Sequence, residues 1–159
     1  MVNVGINGFG RIGRLVLRAS LEKLDSNVKV VAVNDIGNIN QNAHLLKYDS
    51  VHGKINEKIK VEDNIISVGE NKISFSSQRS PEQIPWNDSG VDIVLECTGL
   101  FTDVDKAKGH LSQKVKKVLI SAPSNNSDIT VVYGVNDNLL SNNQQIISNA
   151  SCTTNCLAP

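Results

Sequence analysis

Val2-Asn3-Val4-Gly5-Ile6-Asn7-Gly8-Phe9-Gly10-Arg11-Ile12-Gly13 stands one residue into the chain. Val2–Ile6 is β-branched at every second position and reads as a strand. Arg11–Leu24 carries Ile12, Leu15, Val16 and Ala19 at helical spacing. The glycines between them form G-x-G-x-x-G. Gly8 permits the tight turn. Gly10 lets backbone approach a pyrophosphate with no Cβ in the way, and Gly13 lets the helix pack closely on the strand. The first amides of the helix, around Arg11 and Ile12, then face an anion at the positive end of the helix dipole. Asp35 closes the next strand 22 residues after Gly13. A carboxylate there accepts hydrogen bonds from an adenosine ribose and repels a 2′-phosphate, so the pattern favours NAD over NADP.

Outward from this turn, short β-branched runs alternate with helical patterns. Val28–Val33 is apolar almost throughout, as in a strand covered on both faces of a parallel sheet. Gln41–Tyr48 reads as a short helix. Ile55–Val61, Ile65–Val68 and Lys72–Ser76 read as a hairpin-like β insertion, and Pro81 and Pro85 mark a connection. The βα rhythm returns with Asp92–Cys97, a helix near Asp103–Leu111, and Val118–Ser121. Ile129–Tyr133 and Gln145–Ser148 supply further strands. The fold class expected is α/β: a Rossmann-type, doubly wound, mainly parallel sheet with a small β insertion.

Bulk properties limit the partners. The 159 residues suffice for one domain. Sixteen basic residues balance sixteen acidic ones, which argues against steering to nucleic acid or an anionic membrane. No apolar run approaches the ~20 residues of a bilayer span. Three cysteines are an odd count and no disulfide framework, so a cytoplasmic location is expected.

Ser148–Cys156 (SNASCTTNC) carries the reactive chemistry. Ser151 is a good N-cap, which puts Cys152 in the first turn of a helix, beside unpaired amides that favour the thiolate. Ser151 and Thr153 offer hydroxyls to an anionic substrate. Cys-x-x-x-Cys gives at most two ligands, so no metal site is expected. His44, His52 and His110 show no spacing that ties them to the thiol, and each reads as a surface or packing residue. A nucleophilic cysteine beside a dinucleotide site suggests attack on an aldehyde, oxidised to a thioester as hydride passes to the nicotinamide.

NGFGRIGR (Asn7–Arg14), ND (Asn34-Asp35), YDSVHG (Tyr48–Gly53), ECTGLF (Glu96–Phe101), ISAPS (Ile120–Ser124), YGVN (Tyr133–Asn136) and SNASCTTNCLAP (Ser148–Pro159) occur in this order. Together they resemble the first half of the phosphorylating glyceraldehyde-3-phosphate dehydrogenases. The resemblance implies Cys152 as the nucleophile, and Ser151 and Thr153 as substrate-holding residues. It implies Gly8, Gly10, Arg11, Ile12 and Gly13 around the pyrophosphate, Asp35 on the ribose, Arg79 near the adenine, and Thr98, Gly99, Phe101 and Ser121 along the cofactor cleft. It also implies that residues 1–159 are the NAD-binding domain, ending at the cysteine helix. The catalytic domain, with the histidine base and the substrate-phosphate arginine, is then absent and the piece alone is inactive. Full-length relatives are expected to be homotetramers acting on glyceraldehyde 3-phosphate and phosphate in glycolysis. Two other readings stand beside this one. The first is the same domain of an erythrose-4-phosphate dehydrogenase. The second is a non-catalytic nucleotide-binding module that touches RNA through its cleft, against which the zero net charge argues. Two departures are visible: Asn125–Asp128 is unusually polar, and Cys97 stands where many relatives have serine and reads as structural.

Overall fold

The computed structural model describes residues 1–22 and 27–159. β1 (Val2–Asn7), α1 (Arg11–Glu22), β2 (Val28–Asn34) and α2 (Ile39–Lys47) form the first βαβα unit. A two-residue pair, β3 (Tyr48–Asp49) and β4 (Gly53–Lys54), precedes the insertion β5 (Ile59–Glu62), β6 (Ile65–Val68) and β7 (Asn71–Ser76). The second half holds β8 (Ile93–Glu96), α3 (Val104–Ala107), β9 (Lys117–Ile120), β10 (Ile129–Thr130), β11 (Ile146–Ser148) and α4 (Cys152–Leu157). Nine strands form one sheet in the order β10-β11-β9-β8-β1-β2-β7-β6-β5. Pairing is parallel from β10 to β7 and antiparallel only at the β7-β6-β5 edge. This is the doubly wound Rossmann-type α/β fold with its β insertion. The switch point lies between β1 and β2 on one side and β8 on the other, because the chain runs outward in both directions from β1.

Both faces of the sheet are covered. On one face Val4, Ile6, Val30 and Val33 pack with Leu17 of α1, Leu46 of α2 and Phe75 of β7. Burying a side chain such as Leu17 contributes about 1.5–3 kcal/mol. On the other face Ala32 and Val94 pack with Ile84, Trp86, Val91 and Val115. Gly5 is small because Trp86 lies over it: a Cβ there would stand 2.7 Å from the indole. α3 seals the β9–β11 end through Val104 and Ala107.

Several expected boundaries move for local reasons. The helix expected to reach Leu24 is described to Glu22, and Leu24 lies outside the described residues. Its buried row is Gly13, Leu17 and Arg18, not the face through Ile12 and Ala19, both of which are exposed. Close seating of Gly13 under the Gly8 carbonyl sets that rotation, since a Cβ on Gly13 would meet Gly8 O at 2.2 Å. Arg18 is buried because its guanidinium caps α2 and the β3–β4 pair, donating to the carbonyls of Leu46, Lys47 and Gly53. α2 starts at Ile39, two residues early, because Asn38 Oδ1 accepts from Asn40 N and Gln41 N. It stops at Lys47 because Tyr48 enters β3. The strand expected over Ile55–Val61 is Ile59–Glu62; Ile55 N donates instead to Lys47 O. The helix expected near Asp103–Leu111 is one α turn, capped by Asp103, followed by a 3₁₀ turn over Lys108–His110. The strand expected over Ile129–Tyr133 ends at Thr130, where Asn136 Oδ1 takes the Val132 amide and turns the chain. The polar Asn125–Asp128 stretch has structural partners. Asn126 Oδ1 accepts from Val104 N at 3.2 Å, and Asp128 Oδ2 accepts from Ile146 N and Gln145 N. Those two amides hold the Asp128 carboxyl below its usual range.

Replacing Gly13 by Ala puts a methyl group into the Gly8 carbonyl, which can yield only if β1 and α1 part. We expect thermal melting to report a loss of about 1–3 kcal/mol for Gly13→Ala, the usual cost of overpacking.

Candidate functional site

The carboxyl ends of β1, β2 and β8 frame a cleft of about 290 Å³. Its lining includes Gly8, Gly10, Asp35, Arg79, Thr98 and Phe101 of the residues expected there, together with Asn7, Asn34, Ile36, Gln78, Cys97 and Leu100. Arg11, Ile12, Gly13, Gly99 and Ser121 are not among the lining residues.

The three glycines of the turn are glycines for different reasons. Gly8 has φ +89°, and a Cβ on it would lie 2.7 Å from Thr98 N. Gly13 seats the helix. Gly10 has neither constraint: a Cβ there would meet nothing within 4 Å. Among the described residues, packing does not require a glycine at this position. Arg14 N bonds to Gly10 O at 3.1 Å and is the first amide of α1 to reach a carbonyl one turn back. The amides of Arg11, Ile12 and Gly13 precede it at the mouth of the turn. The Arg11 side chain pairs with Asp49 at 2.9 Å. Asp49 lies well below the usual carboxylate range, chiefly because the His52 and Val51 amides donate to it. Asp35 shapes the turn as well as facing the cleft. Its Oδ2 accepts from Phe9 N at 2.7 Å, and its Oδ1 accepts from Gly37 N at 2.7 Å and Asn42 Nδ2 at 3.2 Å.

Under the cleft runs a buried polar chain that the sequence reading missed. Trp86 Nε1 donates to His110 Nδ1 at 3.1 Å, which leaves the ring proton on Nε2, 2.9 Å from Glu96 Oε2. Asn7 Nδ2 reaches the same oxygen at 2.6 Å. Glu96 Oε1 accepts from Thr98 N at 2.7 Å and from Thr98 Oγ1. Asn34 Nδ2 donates to Asn7 Oδ1 at 2.8 Å and to Gln78 O at 2.9 Å. Glu96 and His110 are each 1% exposed. A polar residue at the last position of an apolar strand, as in IVLE and VVAVN, is the signal that could have found them.

Cys97 lines the cleft with a partly buried thiol. Burial pushes its pKa up to about 11, and neighbouring Glu96 adds to that, against a hydrogen bond with Ser121. Cys152 contrasts with it. It is exposed and stands first in α4. Ser151 caps the helix, its Oγ accepting from Thr154 N at 3.0 Å and lying 3.0 Å from Thr153 Oγ1. Asn155 Nδ2 donates back to Asn149 O and Ser151 O. Ala150, buried, has φ +55°. A non-glycine in this region costs about 1–3 kcal/mol and persists only where the surroundings impose it. The three histidines stand in other roles: His44 packs at a tilt against Tyr48, His52 contacts Asp49 and His110 is in the buried chain. Among the described residues no cluster of three or more His, Cys, Asp or Glu could hold a metal ion, and no helix is long and apolar enough to cross a membrane.

Residues 2–104 match the family described as glyceraldehyde 3-phosphate dehydrogenase, NAD binding domain. The chain belongs to that family. The match spans the glycine turn, Asp35, Arg79 and the Thr98–Phe101 wall, all within an NAD-binding domain. The cysteine segment is covered by individual relatives. Glyceraldehyde-3-phosphate dehydrogenase of Xanthobacter flavus is 53% identical over 158 residues, 99% of this chain and 47% of the relative. That of Geobacillus stearothermophilus is 54% identical over 159 residues, with the same coverage. Glyceraldehyde-3-phosphate dehydrogenase 1 of Bacillus subtilis is also 54% identical over 159 residues. The chain spans about half the length of the curated relatives it matches.

The two classes of thiol give a pH signature. Cys97 has its folded pKa raised from 9.0 to about 11. The folded chain favours its neutral thiol, so this contribution to stability is complete below pH 9 and declines as pH rises towards 11. Peptide mapping after iodoacetamide at pH 8 should find Cys152 and Cys156 alkylated and Cys97 unmodified. Cys97→Ser should remove that part of the alkaline decline in the melting temperature.

Proposed function

We propose that residues 1–159 are the NAD-binding domain of a phosphorylating glyceraldehyde-3-phosphate dehydrogenase, with Cys152 as its nucleophile. One observation carries this reading: a single sheet edge holds both the dinucleotide cleft and the exposed thiol. Asn7, Glu96, Ile120 and Ser148 stand in one register row across β1, β8, β9 and β11. At the usual strand spacing this row is roughly 14 Å long. The glycine turn leaves it after Asn7 and the cysteine turn after Ser148. A dinucleotide anchored at Gly10 therefore runs along the row towards Cys152.

The pyrophosphate would meet the Arg11–Gly13 amides, and the adenosine ribose would meet Asp35. Arg79 would flank the adenine, and Thr98, Gly99, Phe101 and Ser121 would border the path to the nicotinamide. The bound NAD supplies the hydride acceptor. Cys152 Sγ adds to the aldehyde carbon of glyceraldehyde 3-phosphate, and oxidation leaves a thioester on the same sulfur. Inorganic phosphate then takes the acyl group as 1,3-bisphosphoglycerate and frees the thiol. Thr153 would offer its hydroxyl to the substrate phosphate from beside Ser151, which caps the turn. The base that activates Cys152 comes from outside residues 1–159, a reading supported by the three histidines being engaged elsewhere. The homotetramer and the cytoplasmic, glycolytic setting belong to this same reading of the whole protein.

Asp35 gives the test. Calorimetric titration should show NAD binding in preference to NADP. Asp35→Asn removes the charge yet leaves an amide oxygen for Phe9 N, and should narrow the preference about tenfold. NADP binding as well as or better than NAD to the unaltered chain would overturn the assignment.

A further inference from the structure

The buried chain beneath the cleft reaches both of its walls. At one end Glu96 Oε1 takes both donors of Thr98, and Thr98 Oγ1 in turn accepts from Leu100 N at 3.0 Å. The turn through Gly99, at φ +73°, therefore hangs from one carboxylate. At the other end Asn34 Oδ1 accepts from Gln78 N at 2.8 Å and from Ser76 Oγ at 2.9 Å. Gln78 and Arg79 form the facing wall. Asn7 joins the two halves, donating to Glu96 and accepting from Asn34. All of these bonds are made between residues of the chain itself.

We propose that His110 and Glu96 are positioning residues for the dinucleotide, holding the Thr98–Leu100 wall at its binding distance from the glycine turn. Three features of the geometry carry this. First, His110 is fully enclosed and lies outside the cleft lining; its short bond to the lining's support is to Glu96, with Asn7 Nδ2 3.4 Å from the same Nε2 and the Phe101 ring edge-on at 6.4 Å. Second, Trp86 makes Nδ1 the acceptor and thereby aims the Nε2 proton at the carboxylate. Third, Glu96 is the sole anion in the chain, and its four donors include both polar groups of the wall residue Thr98. Removing the His110 donor leaves a buried carboxylate short of one partner. The carboxylate then re-aims, and the Thr98 turn moves with it.

The inference rests on the cleft being the NAD site, and the experiment separates the two. In the 159-residue chain, His110→Leu keeps bulk but loses both ring nitrogens. His110→Gln keeps an NH₂ for Glu96 and an oxygen for Trp86. His110→Leu should raise the NAD Kd about tenfold, the scale of one lost hydrogen bond to a charged group. Its backbone amide resonances should shift at Thr98–Leu100 and at Gln78–Arg79. His110→Gln should recover most of the affinity and the resonance positions. Wild-type affinity and unmoved Thr98–Leu100 resonances in His110→Leu would overturn the proposal. So would an affinity loss that His110→Gln fails to recover. If His110→Leu does not fold, Trp86→Phe, which deletes the donor to Nδ1 together with part of the indole's packing, should give the same resonance shifts in weaker form, and their absence overturns the proposal. A wild-type chain that binds no NAD would defeat the cofactor assignment instead, while the resonance shifts would still judge the positioning role.

Discussion

A single buried carboxylate constrains this domain more than any other group. Glu96 ends the strand beside β1, is shielded from water, and accepts from Thr98, Asn7 and His110. A buried charge is tolerable only when its lone pairs are met, so the residues that meet them have little freedom. Asn7 must stand at the end of β1, which fixes where the glycine turn begins. Thr98 must fold back over the strand end, and it does so against Gly8, where a Cβ would strike Thr98 N. His110 must reach inward, which breaks the helix after Ala107 into a 3₁₀ turn. The shape of the cleft follows from satisfying one charge.

Parallel pairing then gives this cleft its chemical neighbour. Because β1, β8, β9 and β11 run the same way in register, their carboxyl ends open on one edge. Loops at that edge have no sheet ladder to obey and are free to carry function. One such loop is the glycine turn. The other runs from Ser148 to Cys152 and is held by Ser148 Oγ on Ala122 O, Asn149 N on Ile120 O and Asn155 on two carbonyls. These bonds compel the left-handed Ala150 and leave the thiol exposed at the head of α4. Of the two cysteines near the edge, burial pushes the Cys97 thiol pKa up, while Cys152 is exposed.

The alternation of apolar runs with helical spacing was enough to read the parallel sheet, since strands covered on both faces show as nearly unbroken β-branched segments such as Val28–Val33. Gly8, Gly10, Asp35 and Thr98 were legible because each belongs to a short local pattern. Strand lengths near β10 and β5 were not legible, because other acceptors, the Asn136 side chain near β10 and the Lys47 carbonyl near β5, capture amides that composition would assign to a ladder. The rotation of α1 was hidden as well: a single contact between Gly13 and the Gly8 carbonyl outweighs the apolar count of its faces. Least visible was the Trp86–His110–Glu96–Asn7–Asn34 chain. Its members lie up to 103 positions apart, as for Asn7 and His110, and local periodicity carries no information about such pairings.

The claim at the centre of this account is that the cleft is built for a dinucleotide, and Gly10 isolates it. No atom of the described residues lies within 4 Å of a Cβ placed there. The direct measurement is NAD titration of Gly10→Ala beside its thermal unfolding. The account predicts a melting temperature within about 2 °C of wild type, as for substitutions that disturb no packing, and an NAD affinity lowered at least about tenfold. Unchanged NAD affinity in a folded Gly10→Ala chain would contradict it.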